Sequence, residues 1–293
     1  MANKTITGNV WISDLIIYLV LTILAVIFLL PFWMVAVTSV ISESERLSRG
    51  LLLLYPRKLD FSAYQVILAK NSQIVSAYGV TILRTVVGTL CNLLVTSGLA
   101  YGLAKKTLPF RKPITMAIFF TSIFYPGLIP VYLTIKYTGL YDTFLAFIVP
   151  NLVVAWWMLI LRNFFMQIPE EIEEAATIDG ASPPLILFRI ILPLSLPSLA
   201  TIGMFYAVWH WNSWFDGMIY VSKMSLQPAQ VVLRNIISAS MIENLDPTAS
   251  EVPPPLEAVK AAAIMVTTIP ILVVYPFIQR YFVKGALVGS VKG

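Results

Sequence analysis

Apolar residues along this chain form long runs that charged residues rarely interrupt. The first run, from Leu15 to Ile41, contains no charged residue at all. A helix needs about 20 predominantly apolar residues to cross about 30 Å of membrane hydrocarbon, and it satisfies its backbone polar groups within its own segment. The pattern therefore predicts an all-α, polytopic membrane protein. Six stretches are long enough to be transmembrane helices: residues 15–40, 85–104, 114–135, 143–161, 196–220 and 261–282.

Composition indicates the same class of protein and excludes several kinds of site. Hydrophobic residues make up 58% of the 293 residues and charged residues 12%, whereas soluble domains carry about 25% charged residues. Cys91 is the one cysteine, which excludes an internal disulfide, and His210 is the one histidine, which excludes a multi-histidine metal site. The net charge of +5 is typical of membrane-protein loops and does not indicate a nucleic-acid partner.

The distribution of cations predicts the orientation of these spans. Residues 105–112 form a short loop with four cations and no acidic residue, and such loops remain in the cytoplasm. Both termini and the segment 162–195 then lie on the cytoplasmic side, and we interpret the first apolar run as a retained signal anchor. The long segments 42–84 and 221–260 lie outside, and each is large enough to receive a soluble partner.

This topology divides the chain into distinct parts. They are a cytoplasmic N-terminus (1–14), the first span with its outer loop (15–84), a transmembrane core (85–282) with a cytoplasmic loop (163–195), and a cytoplasmic tail (283–293). Two charged residues, Arg84 and Asp216, lie near the outer ends of spans. Such groups can mark a pathway or a pair, but extension of the side chains to the lipid headgroups is the arrangement that we expect here.

The segment 163–195 contains residues that typically begin and end the helices of a water-exposed helical hairpin. Pro169 suits the first position of a helix, and the glutamates that follow it suit the positive end of the helix dipole. Gly180 supplies a left-handed stop, and Ser182 caps a second helix that begins with Pro183. Ala175 and Ala176 leave one face of the first helix without bulky side chains, so that another protein can approach its backbone. We therefore predict a docking hairpin on the cytoplasmic side.

The order of residues in this hairpin resembles the EAA loop of binding-protein-dependent ABC importer permeases. The residues at the matching spacing are Glu174, Ala175, Ala176, Gly180, Ile190, Leu192 and Pro193. Trp211-Asn212 and the ending from Tyr275 to Gly293 also resemble that family. The resemblance covers nearly the whole chain. It is to the second permease of maltose-type importers, in the branch that handles larger or uronic-acid saccharides such as alginate.

The resemblance implies a permease subunit of an ATP-driven importer that moves oligosaccharides across the cell membrane. Its partners would be a homologous permease, two ATPase subunits and an extracytoplasmic solute-binding protein. The sequence has no Gly-Lys dipeptide and hence no Walker A loop. We therefore expect a chain that is not an enzyme, binds no cofactor or metal, and depends on ATP bound by the separate ATPase. The resemblance assigns ATPase coupling to Glu174, Ala175, Ala176, Asp179 and Gly180.

The fifth predicted span is rich in aromatic residues. Sugars stack their apolar faces on aromatic rings while polar neighbours bind the hydroxyl groups. The candidate residues of a substrate path are therefore Tyr206, Trp209, His210, Trp211, Asn212 and Trp214. An aromatic belt at the membrane interface, combined with helix packing, accounts for the same residues equally well.

Other classes of protein remain as alternatives. A secondary transporter normally has ionisable groups near the membrane midplane and a repeated architecture, and the spans offer neither apart from His210. A membrane enzyme needs a catalytic constellation, which one histidine does not provide. An ABC permease for a solute other than a sugar also stays open, because the EAA loop does not specify the substrate.

Overall fold

The computed structural model describes residues 10–50, 53–69, 72–243 and 256–290. Helices dominate these residues and no strand occurs among them, as the apolar pattern predicts. The described residues form two compact units. The first draws on the stretches up to residue 72 and on 236–268, and the second on 73–235 and the stretch from 269 onward.

The first unit begins with α1 (Val10–Thr38), which exposes apolar side chains along most of its length. Two short helices follow, α2 (Glu43–Arg49) and α3 (Ser62–Ile67). Glu45 fixes the segment after α2, because its carboxylate accepts the backbone N–H of Arg57 at 2.8 Å. The predicted outer loop is therefore folded around short helices in this part.

The second unit begins with α4 (Gln73–Ala104), a helix of 32 residues. The sequence predicted that this span begins at residue 85, because Arg84 interrupts the apolar run. In the structure the helix begins about three turns before residue 85, and Arg84 is fully buried within it. At about 1.5 Å per residue, α4 is about 48 Å long, which exceeds the thickness of the hydrocarbon core.

The predicted span at 114–135 is a broken helix. It consists of α5 (Arg111–Ile123) and α6 (Leu128–Tyr137), which meet at an angle of 115°. Pro126 and Gly127 lie in the break, and Gly127 has a φ of +95°, a backbone conformation that favours glycine. This stretch therefore changes direction sharply instead of crossing in a straight line.

The predicted span at 143–161 is also broken. It starts with two 3-10 turns, Phe144–Phe147 and Val149–Asn151, and continues as α7 (Ala155–Phe165) at an angle of 56°. Pro150 lies in the second turn, where its missing backbone N–H prevents an α-helix from running through.

After α7 the chain forms a hairpin and then returns. The first arm is α8 (Glu170–Ile178). The second arm is continuous and consists of α9 (Pro183–Ile186), a π-helical turn (Leu187–Ile191) and α10 (Leu192–Leu194). This arm meets α11 (Leu196–Asn212) at an angle of 88°.

The predicted fifth span, 196–220, is divided because α11 ends at Asn212. Beyond it lie α12 (Phe215–Tyr220), α13 (Ala229–Glu243) and α14 (Leu256–Ser290). By length and composition, three described helices can cross a membrane, and six segments can do so if each bent pair counts as one span.

The core of the second unit lies where α4, α7 and the hairpin's second arm pack together. Its buried residues are Ala100, Tyr101, Leu103, Met158, Leu161, Phe165, Ile186, Leu187 and Ile191. Closer to the N-terminus of α4, Gly88 lets α4 approach α11, since a Cβ at Gly88 would lie 2.3 Å from Nε2 of His210. Close contact of this kind between membrane helices requires small residues.

We predict that Gly88→Ala lowers the stability of the protein by about 1–3 kcal/mol, the usual cost of overpacking. The added methyl group would displace a histidine ring that is itself fixed by a hydrogen bond to Asn92. Thermal unfolding of the detergent-solubilised protein measures this change. Gly98→Ala is the matched control on the same helix, because no atom lies within 4 Å of the added Cβ there. Equal unfolding midpoints for the two variants would contradict the prediction.

Candidate functional site

The predicted helical hairpin at 163–195 is present in the structure. Pro169 is the N-cap of α8 rather than its first helical residue. Gly180 ends the turn after α8 with a φ of +81°, and the N–H of Ala181 returns to the carbonyl of Ala176 at 2.9 Å. The left-handed stop is therefore confirmed. Ser182 occupies the N-cap of the second arm, but its side chain makes no capping hydrogen bond.

An exposed strip on α8 contains most of the residues that the EAA resemblance singles out. Its exposed members are Glu174, Ala175, Asp179 and Gly180. Ala176 is partly buried and packs against the core. Ile178 adds an apolar side chain that is 86% exposed. Ile178 could not be singled out from the sequence, because one more isoleucine carries no signal in so apolar a chain.

The basic loop that follows α4 lies against α8. Nζ of Lys106 is 2.7 Å from a carboxylate oxygen of Glu170, and Lys105 forms an ion pair with Glu173. The hydroxyl of Tyr101 also donates to Glu173, at 3.2 Å. The hydrogen bond from Lys106 lowers the pKa of Glu170 below its ordinary value. Two segments that the positive-inside argument assigns to one side of the membrane thus lie at one end of the second unit.

Arg84 and Asp216, which were expected to reach the lipid headgroups, form a buried ion pair instead. The guanidinium of Arg84 donates to both carboxylate oxygens of Asp216, at 3.1 Å in the case of Oδ1. Asp216 also accepts the hydroxyl of Ser213 at 3.0 Å and the N–H of Gly217 at 2.8 Å. The ring of Phe147 covers the guanidinium at 4.6 Å. Pairing inside the protein satisfies both charges where hydrocarbon cannot.

His210 belongs to the same buried network. Its Nδ1 lies 3.4 Å from Nε of Arg84, and its Nε2 lies 2.7 Å from Oδ1 of Asn92. The amide nitrogen of Asn92 donates in turn to the carbonyls of Asn151 and Leu152, each at 2.8 Å. These carbonyls lie where the helix before α7 is broken, so the network satisfies backbone groups that the break leaves open.

Tyr206 on α11 is also hydrogen-bonded to neighbouring segments. Its hydroxyl is 2.8 Å from Oγ1 of Thr96 and accepts the backbone N–H of Val154 at 3.1 Å. Tyr206 and His210 are both fully buried. Although the sequence placed both on a candidate substrate path, the structure closes them off from solvent, and they join α4 to α11.

An apolar cleft of about 970 Å³ lies beside α11. Three members of the candidate path line it, namely Trp209, Asn212 and Trp214. Trp211 does not line it and instead faces Tyr78, with ring centroids 6.3 Å apart. The cleft is also lined by four aromatic residues that were not among the predicted candidates: Trp156, Trp157, Phe205 and Phe215. Trp156 and Trp157 are adjacent aromatic residues in the fourth predicted span, and Phe205 and Phe215 lie in the aromatic-rich fifth span.

The described lining of this cleft is uncharged, and one cation lies beside it. No acidic residue is among its described lining residues. Arg234 of α13 is exposed, and its guanidinium carbon lies 3.8 Å from the ring centroid of Trp214. The arrangement offers aromatic faces for stacking and a cation at the edge. No group of His, Cys, Asp and Glu that could bind a metal ion occurs in the part of the chain that the structure describes.

Comparisons with known proteins agree with the motif in the hairpin. The chain is 41% identical to the polygalacturonan/rhamnogalacturonan transport system permease protein YtcP of Bacillus subtilis, over 96% of this chain and 98% of the relative. It is 28% identical to the trehalose transport system permease protein SugB of Mycobacterium tuberculosis, over 82% and 85% of the two chains. No protein-family model matches.

A solved structure resembles the whole fold. It is a bacterial ABC transporter involved in the import of the acidic polysaccharide alginate, and one of its chains matches with a TM-score of 0.83 and 30% identity. The match covers 94% of this chain and 98% of that one.

We predict that Asp216→Asn or Arg84→Met destabilises the protein by about 3–5 kcal/mol, because each change leaves one buried charge without its partner. The double variant Arg84→Met/Asp216→Leu should recover part of this loss, since no unpaired charge remains. Thermal unfolding in detergent measures the three changes.

The control for this prediction removes an exposed ion pair. Lys223→Met breaks the contact between Nζ of Lys223 and a carboxylate oxygen of Asp142, 3.5 Å apart, in which the lysine side chain is 61% exposed. Exposed pairs contribute about 0–1 kcal/mol. The prediction is wrong if Lys223→Met lowers the unfolding midpoint as much as Asp216→Asn does.

Proposed function

Because the chain belongs to the family of carbohydrate ABC importer permeases, we propose a specific place for it within such an importer. The chain is a permease subunit that imports oligosaccharides across the cell membrane. It pairs with a homologous permease and assembles with two ATPase subunits and an extracytoplasmic solute-binding protein. Its six spans leave both termini in the cytoplasm, where α8 faces an ATPase. The ATPases bind the nucleotide, and this chain binds none.

The substrate class that we propose is an acidic oligosaccharide built from uronic acids. The observation that carries this proposal is the agreement between two matches that cover nearly the whole chain. One relative is named for polygalacturonan, and the solved transporter is involved in alginate import. Both polymers carry one carboxyl group on each uronic acid unit, and such carboxyl groups are ionised at neutral pH.

The cleft beside α11 supports this class of substrate. Its indole rings suit the apolar faces of sugar rings, and Asn212 offers an amide for hydroxyl groups. A polyanion also requires a path without fixed negative charge. The described lining of the cleft meets that requirement, and Arg234 beside Trp214 supplies a cation that can pair with a carboxylate.

Coupling to the ATPase is supported by the exposed strip on α8. Glu174 and Asp179 present charge, while Ala175 allows close approach and Ile178 offers an apolar contact. An interface needs apolar side chains at its centre and polar groups at its rim. The strip has both within one short helix, which a cleft in an ATPase can enclose.

We predict that ATP hydrolysis by the importer is stimulated by oligogalacturonate and much less by its methyl ester. The importer, assembled in lipid with its binding protein, is assayed with both sugars at equal concentration. The ester has the same chain of sugar rings and lacks the charge, so it isolates the carboxylate. Arg234→Gln should reduce the preference for the acid. Equal stimulation by acid and ester would exclude an acidic substrate class while leaving the importer itself in place.

We predict that Gly180→Val weakens association with the ATPase. Valine at a φ of +81° is strained by about 1–3 kcal/mol, and the turn that orients α8 would change. The amount of ATPase that co-purifies with the permease measures the effect.

Gly139→Val is the matched control for this substitution. Gly139 has a φ of +74° and, like Gly180, no atom within 4 Å of an added Cβ, but it lies outside the hairpin. We expect normal co-purification with this variant. Normal co-purification with Gly180→Val as well would contradict a docking role for the hairpin.

A further inference from the structure

The acidic residues of α8 divide into two groups by what they contact. Glu170 and Glu173 face the basic loop of the same chain, where they pair with Lys106 and Lys105. Glu171 and Glu174 are exposed and make no ion pair within the described residues. Electrostatic contact within the chain therefore uses one group of acids and leaves the other for a partner.

The pair between Lys105 and Glu173 is the more enclosed of the two. Its side chains are 32% and 20% exposed, whereas those of Lys106 and Glu170 are 72% and 63% exposed. The hydroxyl of Tyr101, in the last turns of α4, donates to Glu173. Its ring centroid lies 4.3 Å from Nζ of Lys105, in a cation–π contact. Ion pairs that are shielded from water and hydrogen-bonded restrict geometry more than exposed pairs do.

The end of α4 is also fixed to two other helices. The carbonyl of Leu103 accepts a hydrogen bond from Nε of Arg111, at 2.9 Å, and another from Nε of Arg162, at 3.0 Å. Arg111 begins α5 and Arg162 lies near the end of α7. Cations are favoured at a helix C-terminus, where the last carbonyls have no partner within the helix. Any displacement of this junction therefore moves three helices together.

We propose that Lys105, together with Tyr101 and Glu173, positions α8 on the end of α4 and so transmits its displacement to the transmembrane helices. This inference rests on the proposed docking of α8 to an ATPase. Without the contact, α8 remains attached through the four residues that join it to α7 and through the turn at Gly180. Its other contacts are the packing of Ala176 against the core and the exposed pair of Lys106 and Glu170. An ATPase could then move α8 with less displacement of α4. Lys105 is thus a positioning residue for transport, and it is not part of the ATPase interface.

The test is the number of sugar molecules transported per ATP hydrolysed by the complete importer in proteoliposomes. We expect Lys105→Met and Glu173→Gln each to lower this ratio about fivefold or more, the lower range of coupling between sites, with normal co-purification of the ATPase. The double variant should be no worse than either single one, because both remove the same contact. Lys105→Arg should restore most of the ratio.

Lys112→Met is the matched control, because this lysine lies in the first turn of α5, directly after the basic loop, is exposed and makes no ion pair within the described residues. Its ratio should equal that of the unmodified chain. Loss of ATPase co-purification in Lys105→Met would overturn the inference by making Lys105 a docking residue, and a normal ratio would overturn it by making the contact incidental. Absence of ATP-driven transport by the unmodified importer would instead refute the proposed function.

Discussion

The buried pair of Arg84 and Asp216 is the interaction on which the second unit depends. A guanidinium inside a membrane protein is tolerated only when its charge and donors are satisfied nearby, and here both carboxylate oxygens of one aspartate satisfy them. The pair joins residues 132 positions apart in sequence, on α4 and α12. It also orients His210, which fixes the face that α11 turns toward α4. Because Tyr206 lies on that same face, Phe205 and Trp209 of α11 are directed toward the open cleft.

The same network also provides hydrogen-bond partners for backbone that is not helical. Non-helical segments at membrane depth require partners for their free N–H and C=O groups. Asn92 supplies two donors to the break before α7, and the hydroxyl of Tyr206 accepts the N–H of Val154 in the same break. The polar residues of α4 and α11 thus replace hydrogen bonds that a continuous helix would make for itself. The break before α7 accounts for the burial of these polar residues, and a substrate is not needed to explain it.

The sequence predicted those features that local chemistry determines. Runs of apolar residues located the helices and bent helix pairs that are long enough to cross a membrane. The order of proline, glutamate and glycine from Pro169 to Gly180 located the helical hairpin. The breaks within spans were only hinted at by prolines, because proline also occurs in continuous helices such as α14. The ion pair of Arg84 with Asp216 required knowledge of which spans are neighbours. Two opposite charges near the ends of two apolar runs were the available signal, and they were interpreted as groups that reach the headgroups.

The contrast between α4 and its neighbours bears on how motion can cross the membrane. The segments α5–α6, the 3-10 turns with α7, and α10–α11 each bend sharply at a break, so displacement of one end can be absorbed there. α4 has no such break over its 32 residues. One of its ends is bonded to α5, α7 and α8, and Arg84, in its other half, is paired with Asp216. An unbroken helix bends less readily than the broken segments do. Under the proposed coupling, a displacement at the hairpin would therefore tilt or slide α4 and move α7 and α11, which line the aromatic cleft.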